Sequence, residues 1–447
     1  MKKLISMNPF TGEVNGEFSY LSKEDIKQRV YISRSSIRRW TSFSASERGS
    51  LFDRLAHVLR EKQKIFAETI TKEMGKPIRQ ARTEIERCVN ICMYFAEQAD
   101  ELTREEWVQT SSKKSYILFQ PLGVILGIMP WNYPFIQTFR FAIPTLLAGN
   151  VVMVKPASTV PLCGLALEEG VFQTLLIDSS SALDLIQADA VDGVSLTGSF
   201  KAGSQVASVA GSRIKKVVLE LGGSDPFIVL EDAPLDEVAK IAVQTRFVNA
   251  GQSCVAAKRF LLMEKIAEPF VERFITEMNR LIVGDPMNEQ TDLGPLHSPA
   301  AMEELSAQVE DAQKKGAQVI EGPPVPTKGA FFRPVAVKYA SREMRVSKEE
   351  TFGPIAPMFL IRNEQELLEL ANDTEFGLGA TIWSRDIARA EQLAKEIHAG
   401  FVGINQIVRS DPRLPFGGTK LSGIGRELSY FGVREFTNIK TVVVKDS

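Results

Sequence analysis

Through residues 115–230 the chain is a succession of short apolar runs set between helical or turn-rich pieces: YILFQ, PLGVILGIMP, NVVMVKP, LDLIQAD, DGVSLTGS, IKKVVLELGG and PFIVL. YILFQ alternates as a strand with one buried face does. The others are almost wholly apolar, as expected of parallel strands covered by helices on both sides. The pattern predicts a doubly wound α/β sheet, in which ligands sit in the crevice beyond the carboxyl ends of the strands. Function is therefore expected in the loops that follow these runs.

Upstream, over about 22–106, apolar residues recur at helical spacing, with Leu51, Leu55, Val58 and Leu59 and then Ile65, Phe66 and Ile70 sharing faces. In KEMGKP, Gly75 and Pro77 end one helix and the next begins near Ile78. A second alternation of helix and strand fills about 232–409, with helices near 267–281 and 299–315 and a strand at AQVIEG. GPPVPTKGA is a surface loop by composition. The final KTVVVKDS reads as a strand that needs a sheet edge, either YILFQ or another subunit. A length of 447 residues predicts two or three domains with buried cores.

The 53 basic residues nearly balance the 55 acidic ones, which leaves no electrostatic footprint for nucleic acid or an anionic membrane. The longest apolar stretch, 121–129, falls far below the roughly 18 residues of a spanning helix. Behind Lys2 and Lys3 there is no apolar run of the kind a signal peptide carries. Four cysteines in so long a chain cannot make a disulfide framework; they read as reduced thiols and the expected compartment is the cytoplasm. Cys88 and Cys92 share a helical face, but His57, His297 and His398 are scattered singly, so those thiols are expected in the core and no metal is expected.

Three loops carry candidate chemistry. In NAGQSCV, Gly251 lets the backbone approach whatever the Cys254 thiol attacks; the alternative is a buried structural thiol. In VVLELGGSDPF a strand delivers Glu220 into apolar surroundings, where its pKa should rise and make it a general base near neutrality; the alternative is a buried salt bridge. In IMPWNYPF, Trp131 and Asn132 lie between two prolines, so the Asn132 amide can be held where an oxyanion forms; the alternative is a tight turn with Trp131 as core filler. MVKPAS and SLTGSFKAGSQVA look like dinucleotide seats. Lys155 supplies a positive charge in the first, and in the second Gly198 and Gly203 open a helix whose N-terminal amides can receive phosphate.

Taken in order, PWN, KPAS, TGS, LELGG, GQSC, EETFGP and PFGGTKLSGIGRE resemble the aldehyde dehydrogenase superfamily over essentially the whole chain, and most of all its short bacterial succinate-semialdehyde dehydrogenases. The resemblance implies a Rossmann-type cofactor domain (1–109 and 121–225), a second α/β catalytic domain (226–412), a return to the cofactor domain (413–429) and a small β oligomerisation flap (110–120 and 430–447). It implies Cys254 as the nucleophile, Asn132 with the Cys254 backbone N–H as the oxyanion site, and Glu220 as the base that hydrolyses a thioester. Cofactor contacts are implied for Trp131, Lys155, Ser158, Gly198, Ser199, Leu221, Glu350 and Phe352. With Ser at 158 rather than an acid, a 2′-phosphate is tolerated, so NADP is expected to serve at least as well as NAD.

Arg140, eight positions after Asn132, matches the place that meets the distal carboxylate of a semialdehyde, and Ser410 lies in the corresponding mouth loop. The implied substrate is succinic semialdehyde and the implied assembly a homodimer or homotetramer. The chain departs from the pattern at Val248, where some members carry a second arginine, with Arg246 close by. It departs also in a crossover shortened to PLCGLALEEGV, and in Ala256, which replaces a second thiol. The competing readings are a dehydrogenase of other small aldehydes, a cofactor-independent thiol hydrolase, and a non-catalytic member of the fold. The hydrolase would need a histidine beside Cys254, and the sequence offers no evident pair.

Overall fold

The apolar runs of 124–220 assemble into one sheet in the computed structural model, which describes residues 3–168 and 173–445. Its strands lie in the order Gly423–Ile424, Lys216–Glu220, Gly193–Thr197, Val124–Ile128, Val151–Lys155, Gln173–Thr174. Every pairing is parallel except that of Gly423–Ile424. The first strand in the chain, Val124–Ile128, is thus flanked by the second on one side and the fourth on the other. The winding reverses there, and the loops after Val124–Ile128 and Gly193–Thr197 part to leave a crevice. Val124, Ile125, Leu126, Met153 and Val194 are buried, as strands covered on both faces must be.

Three of the seven runs behave otherwise, YILFQ by pairing in a separate three-stranded sheet. Of LDLIQAD, residues 183–187 lie in the helix Ser179–Gln187 and none in a strand. The Asp178 side chain accepts from the Ser181 N–H at 2.8 Å and caps it, while Ala182, Leu185 and Ile186 fall at i, i+3 and i+4 and are buried against the sheet. PFIVL, as Pro226–Val229, opens a second sheet. That sheet runs Gln318–Glu321, Val335–Lys338, Ile355–Ile361, Arg259–Met263, Pro226–Val229, Gly379–Trp383, Phe401–Ile404, parallel but for the edge strand Gln318–Glu321. Only 221–225 separates the last long strand of one sheet from the first of the other, and Gly222 and Gly223 lie in that link.

The amino-terminal region forms helices Lys23–Ser42, Ala45–Glu61, Gln63–Met74, Ile78–Glu97 and Ala99–Thr103, preceded by a hairpin of Lys3–Met7 and Val14–Ser19 that the periodicity does not announce. A third sheet pairs Lys114–Pro121 with Thr437–Val444 along its length, and Glu106–Trp107 adds a short third strand. Of the stretch 430–447 expected as strand, the first part is helix Ser429–Glu435, which buries Gly432 and Val433 and packs against helix Ile136–Leu147. The shortened crossover enters as helix Pro161–Glu168; the remainder expected at 169–171 lies outside the described residues. Among the described residues no helix is long and apolar enough to cross a membrane, and no group of His, Cys, Asp and Glu is placed to hold a metal.

Candidate active site

Helix Leu235–Phe247 runs into a tight turn in which Asn249 and Ala250 have φ of 52° and 53°. Left-handed backbone is unfavourable for residues with a Cβ and persists only where the surroundings enforce it. Here they do. The Asn249 amide nitrogen Nδ2 donates to the carbonyls of Asn132 (3.0 Å) and Gln252 (3.1 Å), and Gln252 Nε2 donates back to the Asn249 carbonyl at 3.1 Å. Buried Arg246 donates to the carbonyls of Ala257, Thr351 and Gly353. Gly251, at φ 76°, lies so close to the next layer that a Cβ there would stand 2.3 Å from the Gly353 oxygen. This clamp presents Cys254.

Cys254 is partly exposed, whereas Cys88, Cys92 and Cys163 are buried. It stands where two cavities meet. One, of about 590 Å³, is lined by Trp131, Asn132, Thr197, Gly198, Ser199, Leu221, Glu350 and Phe352. The other, of about 490 Å³, is lined by Arg87, Tyr133, Arg140, Val248, Ser410 and Phe416. Among the described residues, only Cys254 and Gln137 border both. Burial pushes the Cys254 thiol up to about 11, while Arg140 and Lys258 pull it down.

Asn132 donates from Nδ2 to the Gln252 carbonyl at 3.1 Å, so its side chain is fixed beside the thiol by the loop that carries the thiol. Lys258, fully buried, donates to the carbonyls of Gly223 (2.7 Å) and Cys254 (2.9 Å) and to Glu350 Oε1 (2.5 Å). Glu350 Oε1 also accepts from the Gly223 N–H at 3.0 Å. One lysine thus ties the thiol loop, the Gly222–Gly223 link and the cavity wall together.

Glu220 is set apart from this group. It borders neither cavity; its Oε1 lies near Gly417, is buried and has no hydrogen-bond partner. Burial, then the Glu427 carboxylate, drive it well above the usual carboxylate range, and Arg140 opposes them. The upward shift expected from the sequence is present, but the carboxyl borders neither of the cavities that meet at the thiol.

The larger cavity suits a dinucleotide. Thr197 Oγ1 is buried on its wall without a partner, and Ser199 caps helix Phe200–Ser212 by accepting from the Ala202 N–H at 3.3 Å. The remaining first-turn amides and the helix dipole face the crevice at the winding reversal, where a pyrophosphate is favoured. Trp131 stacks on His297 at 3.5 Å and meets Phe352 edge-on at 5.9 Å, closing the floor. Lys155 and Ser158 are not on this wall. Lys155 is buried at its strand's end and donates to the Pro156 carbonyl at 3.2 Å, and Ser158 is exposed beyond it.

In the smaller cavity Arg140 is not a free cation. Its Nε donates to Glu427 Oε2 at 2.7 Å in a buried pair, and its guanidinium lies over the Phe416 ring at 4.2 Å. Its Nη2 is buried without a partner. Ser410 Oγ accepts from Arg87 Nη2 at 2.7 Å. Arg246, close in sequence to Val248, is consumed by backbone carbonyls. The sequence reading missed Gln137, Lys258, Arg87, Glu427 and His297. Lys258 and Glu427 stood inside the motifs GQSCVAAKRF and GIGRE, whereas Arg87 lies in a polar helix with no motif around it.

Comparison with known proteins agrees with this geometry. The family model described as "Aldehyde dehydrogenase family" matches residues 2–442. A probable succinate-semialdehyde dehydrogenase [NADP(+)] of Synechocystis sp. is 42% identical over 98% of this chain and 99% of its own. A succinate semialdehyde dehydrogenase [NAD(P)+] of Escherichia coli is 39% identical over 98% and 97%. The crystal structure of succinic semialdehyde dehydrogenase from Streptococcus pyogenes in complex with NADP+ superposes with a TM-score of 0.96 at 33% identity, over 99% of this chain and all of that one. With a thiol set between a dinucleotide crevice and a second cavity, and with that match along nearly its full length, the chain belongs to the aldehyde dehydrogenase family.

Proposed function

We propose that this protein oxidises succinic semialdehyde to succinate with NADP, NAD serving less well or equally. The carrying observation is that one thiol borders both a dinucleotide-sized crevice and a separate cavity lined by arginines. The Cys254 thiolate adds to the aldehyde carbon, and the oxyanion is held by the Asn132 amide and the Cys254 N–H. Gly198, Ser199 and Thr197 would hold the pyrophosphate, Trp131, Leu221, Glu350 and Phe352 the nicotinamide half, and Lys155 with Ser158 the adenosine half. A bound nicotinamide would supply the acceptor for the hydride that leaves the former aldehyde carbon, and Cys254 would hold the resulting acyl group as a thioester. Glu220 then takes a proton from the hydrolytic water; to do so its carboxyl turns from Gly417 toward the thiol. Arg140 and Ser410 border the cavity that would take the rest of the substrate.

The assay is formation of reduced cofactor with succinic semialdehyde, native protein against Cys254→Ala. A loss of about three orders of magnitude or more is expected for a missing nucleophile. For the cofactor, kcat/KM with NADP is expected to equal or exceed that with NAD, and a tenfold preference for NAD would defeat the Ser158 reading. The same reading includes a cytoplasmic homo-oligomer built through the flap strands.

A further inference from the structure

Among the described residues, Gln137 is the one side chain besides Cys254 at the junction of the two cavities. It is 2% exposed, and its Oε1 is buried with no hydrogen-bond partner. A buried amide oxygen left without a donor is costly, and such groups are ordinarily satisfied by an ordered water or a ligand. Other unpartnered polar atoms line these walls, but on one side only. Thr197 Oγ1 and His297 Nδ1 belong to residues of the larger cavity, and Arg140 Nη2 to a residue of the smaller.

The backbone around Gln137 is pinned. It is the second residue of helix Ile136–Leu147, and its N–H donates to the Tyr133 carbonyl at 3.1 Å. Glu84 Oε1 accepts from the N–H groups of Phe135 (2.9 Å) and Ile136 (3.1 Å), and Glu84 is itself paired with Lys76, both side chains wholly buried. The turn that leads into this helix carries Asn132, whose Nδ2 donates to the Gln252 carbonyl of the thiol loop at 3.1 Å. Gln137 and Cys254 therefore stand on segments joined through one turn.

Hydrolysis of the thioester needs a water beside the thiol. Glu220, the base, borders neither cavity, so a water at the junction needs a second acceptor to be held there. We infer that Gln137 Oε1 accepts one hydrogen of the hydrolytic water and directs the other to Glu220. With both hydrogens accepted, a lone pair of the water oxygen is left for the acyl carbon on Cys254. The oxygen bonds to that carbon as the C–S bond breaks; one proton passes to Glu220 and from it to the departing sulfur, and the other is lost as the new carboxyl ionises. Gln137 thus acts in the hydrolytic half of the reaction and not in formation of the thioester. The inference deepens the proposed function and rests on it.

The test is the lifetime of the thioester. Native protein, Gln137→Met, Gln137→Leu and Gln137→Glu are mixed with NADP and labelled succinic semialdehyde; reduced cofactor is followed through the first turnover, and label on Cys254 is counted after acid quench. Methionine keeps the length and flexibility of the side chain and removes its acceptor. In Gln137→Met, label on Cys254 should persist about tenfold longer, the scale of one hydrogen bond lost from the reacting arrangement, while the first turnover is slowed less than the decay. Gln137→Leu, a second variant without the acceptor, should behave in the same way, and Gln137→Glu, which keeps an acceptor at that reach, should lose label faster than either. Hydroxylamine attacks a thioester without a held water and should release label equally fast from native protein and Gln137→Met. An unchanged lifetime in the variants without the acceptor overturns the inference, as does a first turnover slowed as much as the decay, or a slower release by hydroxylamine. A native protein that forms no reduced cofactor with succinic semialdehyde overturns the proposed function instead.

Discussion

Cys254 carries a thiol held at about 11, above its ordinary value near 9, because burial outweighs the pull of Arg140 and Lys258. The raised value favours the protonated fold below about pH 9, and that contribution fades as pH climbs through about 11. Alkylation of the free protein at Cys254 should therefore quicken by about tenfold per pH unit from neutrality upward, since the thiolate is the reactive species; a rate flat with pH would contradict it. Glu220, also raised, keeps its proton to higher pH than an ordinary carboxyl. Removing it as Glu220→Gln should lower steady-state kcat by about a hundredfold or more, and chemical quench should find label from the substrate retained on Cys254. Arg140→Met is a different case. It leaves Glu427 buried without its cation, so oxidation of succinic semialdehyde and of butanal should fall by similar factors. A loss confined to succinic semialdehyde would make the substrate carboxylate a partner of Arg140.

The turn 248–251 shows how an element can be needed and yet be locally unfavourable. Asn249 and Ala250 adopt left-handed backbone, and the cost is met by Asn132, Gln252 and Arg246 binding the turn's own polar groups and its neighbours. Gly251→Ala should destabilise the fold by about 1–3 kcal/mol through overpacking against Gly353, measured by urea unfolding, and should slow Cys254 because the thiol is three residues on. The helix Ser179–Gln187 teaches the opposite lesson. Its apolar run resembled a buried strand, since short apolar runs carry no distinctive period, and the deciding signal was Asp178 at the cap. The strands at 124–128, 151–155 and 193–197 were legible because residues flanked by helices on both faces must be apolar throughout. The amino-terminal hairpin was not legible, because its residues are mostly exposed and polar.

For the molecule as a whole, the three-stranded sheet leaves Thr437–Val444 as an edge with Ile439, Val443 and Val444 exposed. An apolar edge strand is a surface that pairs with another chain unless it is covered. Ile439→Glu with Val443→Glu should give a smaller species in sedimentation velocity than the native protein, and an unchanged species would remove the flap from assembly. The terminal strand's partner within the chain, Lys114–Pro121, had been one of two open possibilities. Sequence by itself marked the sheet-forming core and singled out Cys254, Glu220 and Asn132 as candidates, because each lies in a short contiguous motif. Tertiary structure alone decided what each arginine of the smaller cavity touches. Arg140 and Glu427 are 287 positions apart and Arg87 and Ser410 are 323 apart. Whether a charge is spent on a neighbour or left for a ligand depends on distances of a few ångströms between segments that no local pattern connects.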